Sequence, residues 1–155
     1  ISFALIKGAS HIATFDADGQ HQVADLVAMY QTLEARHADF ALGSRFLGHV
    51  EGIPVVRRLM LRMAILFTRL LSGVLLSDAH NGLRLMTRRG ASRIHLTLNR
   101  MEHASEIIDQ IVGSRLPFVE VPVTIRYTRD SLAKGQRTSN AVRLGVKLLL
   151  EKVRR

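Results

Sequence analysis

The chain has no cysteine and no tryptophan, only three prolines, and aromatic residues make up 5% of its 155 residues. Without cysteine there are no disulfides and no thiolate-bound metals, a composition that suits a reducing, cytoplasmic setting. The scarcity of aromatic rings leaves few platforms for stacking bases, which disfavours nucleic acid as a partner. No apolar run approaches the roughly 18 residues needed to span a bilayer. The first residues lack the charged start, apolar stretch and cleavage site of a signal peptide. Acidic residues are also short: 13 Asp and Glu face 22 Lys and Arg, for a formal net charge of +9 and a pI near 11.2. Such a surface favours anionic partners, whether nucleic acid, nucleotide phosphates or an acidic lipid leaflet. Hydrophobic residues reach 47%, enough for a buried core in a single domain over residues 1–155.

Helical and strand-like periods alternate along the chain. Helical spacing in "ISFALIKGA" is followed by a short apolar strand over 12–15. A helix over 23–36 carries Val23, Leu26, Val27, Tyr30 and Leu33 along one side. A strand is expected over 39–46, then a Gly/Ser/Pro loop over 44–54. The longest helix spans 55–73 and stops at Gly73. Loop 77–82, a strand at 83–87, a short helix near 88–95 and a helix over 104–114 follow. The alternating segment 117–128 reads as a strand, placed at an edge or a bulge by Pro122. A polar loop over 129–138 precedes a last helix, "NAVRLGVKLLLEKVRR". The pattern predicts an α/β fold with a mostly parallel sheet flanked by helices.

In "HIATFDADGQHQ" an apolar strand runs directly into two aspartates one residue apart. Ligands of open α/β sheets bind beyond the carboxyl ends of the strands, where Asp16 and Asp18 fall. With a turn at Gly19 bringing Gln20 close, two carboxylates and an amide oxygen form a hard, oxygen-rich site suited to Mg2+ or Mn2+. The competing reading is a polar turn in which Asp and Gly serve the backbone. A calcium-binding EF-hand loop is excluded, because its sixth and twelfth positions counted from Asp16 hold His21 and Val27 rather than Gly and Glu. Asp-x-Asp-Gly after a strand also resembles the nucleophile motif of haloacid-dehalogenase-type phosphatases, with Asp16 as nucleophile. That motif continues with threonine and an apolar residue, whereas Gln20 and His21 follow here.

Taken in order, "FDADGQH", "GSRF", "SDAHNGLRLMTRR", "RMEHASEI" and "EVPVTIRYT" with "KGQ" resemble family 2 glycosyltransferases, in particular the bacterial branch similar to dolichyl-phosphate mannose synthase. The resemblance extends over essentially the whole chain. It implies a partial GT-A type nucleotide-sugar-binding fold and metal-dependent, inverting transfer of a sugar from a nucleotide diphosphate to a polyprenyl phosphate or a saccharide. It assigns the metal to Asp16, Asp18 and Gln20. It places phosphate-binding arginines at Arg45 and Arg58, and a further phosphate-binding pair at Arg129 and Lys134. In "SDAHNGLR", Asp78 borders the acceptor side as an orienting group or base, its other reading being an Asx turn or helix cap. The region where such enzymes carry a catalytic aspartate offers Glu102, His103 and Glu106 instead, with His103 the preferred base. An already ionised lipid phosphate needs none.

In the longest helix, Leu59, Met63, Leu66, Phe67, Leu70 and Val74 recur at helical spacing beside Arg58, Arg62 and Arg69. This stripe reads either as a core-facing helix with a solvated basic side or as a helix lying on an anionic membrane surface, which would put the protein peripherally at the inner membrane face. The resemblance also implies an earlier nucleotide-binding strand that is not seen, so the chain is expected to be the C-terminal portion of a longer catalytic domain. The non-enzymatic alternative is a basic module for anionic surfaces.

Overall fold

In the computed structural model of the chain, the described residues are 1–127 apart from 17, 79–80 and 98–101. The expected loop 129–138, with Arg129 and Lys134, and the last helix lie outside them, as does His80. The elements are α1 (Ser2–Ile6), β1 (His11–Thr14), α2 (Val23–Ala35), β2 (Phe40–Glu51), α3 (Val55–Ser72), β3 (Arg84–Thr87), α4 (Arg88–Ala91), α5 (Glu102–Ser114) and β4 (Phe118–Arg126). The strands form one sheet in the order β1-β3-β2-β4. β2 and β4 pair in parallel, while β3 runs antiparallel to both β1 and β2. Three strands therefore point the same way and the fourth is inserted head to tail between them. That reversal matters, because β3 begins at the edge where β1 and β2 end.

Strand alternation divides the core in two. Phe40, Leu42, Ile12 and Met86 face Ile107, Ile108 and Ile111 of α5, together with Ala91 and Ile94. Ala41, Leu83, Leu85, Val121, Val123 and Ile125 face Met29 and Leu33 of α2. The sheet is thus covered by helices on both sides. The buried line of α2 differs from the expected one. Met29 and Leu33 are buried and Leu26 partly so, whereas Val23, Val27 and Tyr30 are exposed. Apolar residues occupy several sides of this helix, so spacing alone does not select the side that meets the sheet.

β2 is also longer than expected, running through most of the predicted 44–54 loop to Glu51. The register explains why the glycines and serine misled. Pairing jumps from Ser44 opposite Pro122 to His49 opposite Thr124, so β2 carries extra residues against β4 at that point. Gly48 lies in this irregular stretch, and a Cβ there would overlap the Val123 backbone. Pro122, with no N–H to give, sits on the edge strand at the interruption, as its presence in the strand predicts.

α3 is the outlying element. Val55, Leu59, Met63 and Leu66 are 84%, 62%, 58% and 48% exposed, so the core-facing reading of this stripe does not hold for them. Arg58, Arg62 and Arg69 are exposed beside it. Gly73 closes the helix in the left-handed conformation (φ 70°), its N–H donating to the Arg69 carbonyl.

At the opposite end of the sheet, Asp39 enters β2 almost fully buried and accepts from Arg89 Nε at 2.9 Å, from a second Arg89 nitrogen and from Thr87 Oγ1 at 2.6 Å. Thr87 Oγ1 in turn caps α4 by accepting from Gly90 N. The Arg89 hydrogen bond, against the opposing effect of burial, holds the Asp39 carboxyl below its ordinary value of 3.8. A depressed carboxyl stabilises the fold fully above its unfolded-state pKa and loses that contribution as pH falls through the folded one. We expect Asp39→Ala to lower the unfolding free energy at pH 7 by about 1–3 kcal/mol. In urea melts its deficit against the parent protein should shrink below pH 4. A deficit unchanged at low pH would contradict this.

Candidate functional site

Two crossings bring the site residues together at one edge of the sheet. Beyond β1 the chain does not remain extended but turns and crosses toward β4. Gly19 takes φ 79°, Asp18 Oδ1 accepts from Gln20 N at 3.1 Å in an Asx turn, and the Gln20 carbonyl accepts from Arg126 N at 3.1 Å. At the start of α2, Asp25 accepts from Thr124 N at 2.8 Å and completes the strap. The second crossing is the return from α3, which delivers Ser77, Asp78, Asn81 and Gly82 to the same edge before β3 starts.

The register sets Thr14 opposite Arg84. Two places further along, Asp16 meets Gly82 so closely that a Cβ on Gly82 would overlap the carboxylate. Thr14 Oγ1 donates to the Gly82 carbonyl at 2.7 Å and fixes this approach. The Asp16 side chain is 63% exposed, and its Oδ2 lies 3.6 Å from Nε2 of the buried His21 ring. Asp18 is exposed and Gln20 half-buried. Among the described residues, His21 Nδ1 and Asn81 Nδ2 are buried side-chain atoms with no hydrogen-bond partner. Both belong to residues bordering the Asp16 carboxylate or the glycine it rests on.

Next along the edge is Asp78, whose side chain is 1% exposed. Its Oδ2 accepts from Arg45 N at 3.0 Å and from Arg45 Nε at 2.5 Å, and Arg45 Nη1 donates to the Tyr127 hydroxyl at 2.7 Å. Burial pulls the Arg45 guanidinium down, but the charge of Asp78, followed by Tyr127, outweighs it and leaves the group above its ordinary value. Glu120 of β4 secures the loop from below by accepting from Ser77 N, Ser77 Oγ and Asp78 N. Arg84, 5% exposed, is drawn by burial down to about 10, with the charges of Asp16 and Asp78 acting to raise it. It therefore remains charged at neutral pH. The result is a row of alternating sign, Asp16–Arg84–Asp78–Arg45, along the carboxyl ends of β1 and β2.

Of the residues expected from sequence, Asp16, Asp18, Gln20, Arg45 and Asp78 converge on this edge. Arg58 is exposed in the first turn of α3, and His103 is half-buried in the first turn of α5. Neither belongs to the row. Glu106 accepts from the backbone and hydroxyl of Thr97, which ties α5 to the loop before it. Sequence reading gave no role to Arg84, His21, Glu120 or Tyr127. A lone arginine inside the apolar run "GLRLM" and a lone glutamate in "FVEVPV" were the available signals. Nothing in the sequence marks Tyr127.

Asp16, Asp18 and Gln20 offer only hard oxygen donors on one exposed turn, which fits a small divalent cation. Among the described residues no three His, Asp or Glu side chains are grouped to enclose a metal. Any cation held by this turn would need the Gln20 amide and oxygens from a ligand or water. The unpartnered His21 and Asn81 nitrogens are consistent with such a ligand.

No protein-family model matches the chain. It is 30% identical, over 99% of its own length and 65% of the relative's, to an uncharacterized protein of Methanocaldococcus jannaschii. It is 28% identical, over 94% of its length and 60% of the relative's, to the UDP-N-acetylglucosamine–dolichyl-phosphate N-acetylglucosaminyltransferase of Methanococcus voltae. It is also 28% identical, over 91% of its length and 54% of the relative's, to the polyprenol monophosphomannose synthase of Mycolicibacterium smegmatis. The chain thus spans between about half and two thirds of the length of these relatives, and the two named for an activity are glycosyltransferases.

The buried pair yields a direct expectation. Asp78→Asn keeps the shape but strands the Arg45 charge, and should destabilise the protein by about 3–5 kcal/mol in urea unfolding. Tyr127→Phe removes one acceptor and should cost about 1–2 kcal/mol. Equal effects of the two substitutions would show that charge pairing is not what holds Arg45.

Proposed function

We propose that this chain is the metal- and acceptor-side part of a glycosyltransferase that moves a sugar from a nucleotide diphosphate to a polyprenyl phosphate, with inversion at the sugar carbon. The observation that carries this reading is the similarity to two lipid-phosphate glycosyltransferases over more than nine-tenths of the chain, together with an Asp-x-Asp turn at the edge where α/β sheets bind ligands. Asp16, Asp18 and the Gln20 amide hold Mg2+ or Mn2+. When bound, the cation stabilises the charge that builds on the departing nucleotide diphosphate. Arg58, Arg129 and Lys134 hold donor or acceptor phosphates. Arg45 supplies a fixed positive charge at the same edge, and Asp78 keeps it oriented.

Asp78 Oδ2 takes two bonds from Arg45, which assigns it to orienting that charge. A polyprenyl phosphate is ionised near neutral pH and attacks the sugar carbon without a base. Were the acceptor a saccharide hydroxyl, His103 would be the group to take its proton. The apolar stripe of α3, with Arg58, Arg62 and Arg69 beside it, lies on the anionic membrane surface that carries the acceptor. No helix among the described residues is long and apolar enough to cross a membrane. The protein is therefore read as peripheral at that face.

One assay tests both parts. Full-length protein should transfer labelled sugar from a nucleotide-diphosphate sugar to polyprenyl phosphate in anionic vesicles. Asp16→Asn should lower kcat/KM by at least about a hundredfold, as expected for loss of a group stabilising leaving-group charge. The Leu59→Ser/Met63→Ser pair should reduce vesicle binding by about tenfold or more, from the apolar area lost, while sparing transfer to a soluble short-chain acceptor. A phosphorylated Asp16 after exposure to a phosphate ester would instead identify a phosphatase. Steeply salt-dependent vesicle binding without any transfer would leave only an anion-binding module.

A further inference from the structure

Arg84 is a charge in an unusual place. It lies on β3, an interior strand of the sheet, between Leu83 and Leu85, whose side chains join the α2-facing core. The Arg84 side chain points to the other face, where the register places Thr14 and Leu42 beside it. A buried guanidinium is tolerated only when opposite charge lies close. Its neighbours of that sign are Asp78 and Asp16. Asp78 already accepts twice from Arg45. One buried carboxylate thus serves two buried guanidinium groups, and the balancing charge comes from Asp16. That carboxylate is poised by Gly82, which lies two residues before Arg84 on the same strand approach.

We propose that Arg84 is a resident counter-cation for Asp16 and Asp78, its charge offsetting theirs before a divalent metal binds and setting an upper limit on the affinity of that metal. The inference rests on the reading of the Asp16 turn as a metal site, and it adds a residue and a regulation to that site. With a cation on Asp16, two positive charges share one carboxylate, and their repulsion weakens uptake. Removing the arginine charge therefore has opposite effects on the two states. The metal-free protein loses stability because the charges of Asp16 and Asp78 lose the nearby cation that offsets them, while the metal binds more tightly. A purely structural arginine predicts loss of both.

Calorimetric titration of Mn2+ into full-length protein, with thermal melts in chelator, separates these cases. Arg84→Met should bind Mn2+ at least about tenfold more tightly than the parent, the effect of one unit charge near a partly solvated divalent ion, and should melt at a lower temperature without metal. Arg84→Lys, titrated at pH 6 so that the buried ammonium stays protonated, should bind Mn2+ less tightly than Arg84→Met. Affinity of Arg84→Met equal to or weaker than the parent would overturn the proposal, as would Arg84→Lys binding as tightly as Arg84→Met. If Arg84→Met is unfolded in chelator, millimolar Mn2+ must restore a cooperative melt, and failure to do so is equally fatal. Absence of Mn2+ uptake by the parent would remove the metal reading of the Asp16 turn and this inference with it. Uptake by the parent with no tightening in Arg84→Met removes the inference alone.

Discussion

Two guanidinium groups buried at one edge of a four-stranded sheet are the constraint around which this molecule is arranged. Arg45 and Arg84 are 7% and 5% exposed, and burying such charges is costly unless carboxylates lie close to them. Asp78 meets Arg45 at 2.5 Å, Asp16 reaches the edge through the strap beyond β1, and Glu120 fixes the backbone that carries Asp78. The antiparallel insertion of β3 is what makes this possible. Had β3 run with its neighbours, the loop bearing Asp78, Asn81 and Gly82 would have met the opposite end of the sheet.

The two fixed cations of this edge are matched within the protein, so under the proposed function a ligand phosphate would be balanced by the cation held on Asp16 and by basic side chains from outside the row. The division between ends is consistent with this. The Asp39–Arg89–Thr87 cluster closes the other end with a carboxylate engaged by Arg89 and by the threonine hydroxyl that caps α4, whereas the Asp16 carboxylate is mostly exposed and borders unpartnered nitrogens. One end holds the sheet together and the other remains open to chemistry. The apolar stripe of α3 is exposed as well, and under the proposed function it would face the surface that carries the acceptor.

Much of the fold was legible because its elements follow simple periods. The strand before Asp16, the long helix stopped by Gly73, and the Pro122 edge strand all fall where spacing and backbone chemistry put them. The failures have physical causes. Residues 44–54 read as a Gly/Ser/Pro loop, yet most of them belong to an irregular stretch of β2 whose Gly48 is pressed against Val123. α2 is apolar on several sides, so its buried line could not be chosen without the sheet. For the site, Asp16, Asp18 and Gln20 are local in sequence and could be found as a motif. Arg45, Asp78 and Tyr127 meet across 82 residues, and no local pattern encodes that meeting. Arg84 was visible as a charge in an apolar strand, but its significance depends on the register that sets it opposite Thr14, two residues before Asp16.

Under the proposed function this edge binds a nucleotide-diphosphate sugar through a divalent cation on the Asp16 turn. Water-proton relaxation by Mn2+ in solutions of the full-length protein reads this directly, because a cation held jointly by protein and ligand slows its tumbling. Relaxation should be enhanced on adding a nucleotide-diphosphate sugar, and Asp16→Asn should abolish the enhancement. Relaxation identical to that of Mn2+ with nucleotide sugar alone, or an enhancement that survives Asp16→Asn, would contradict this reading.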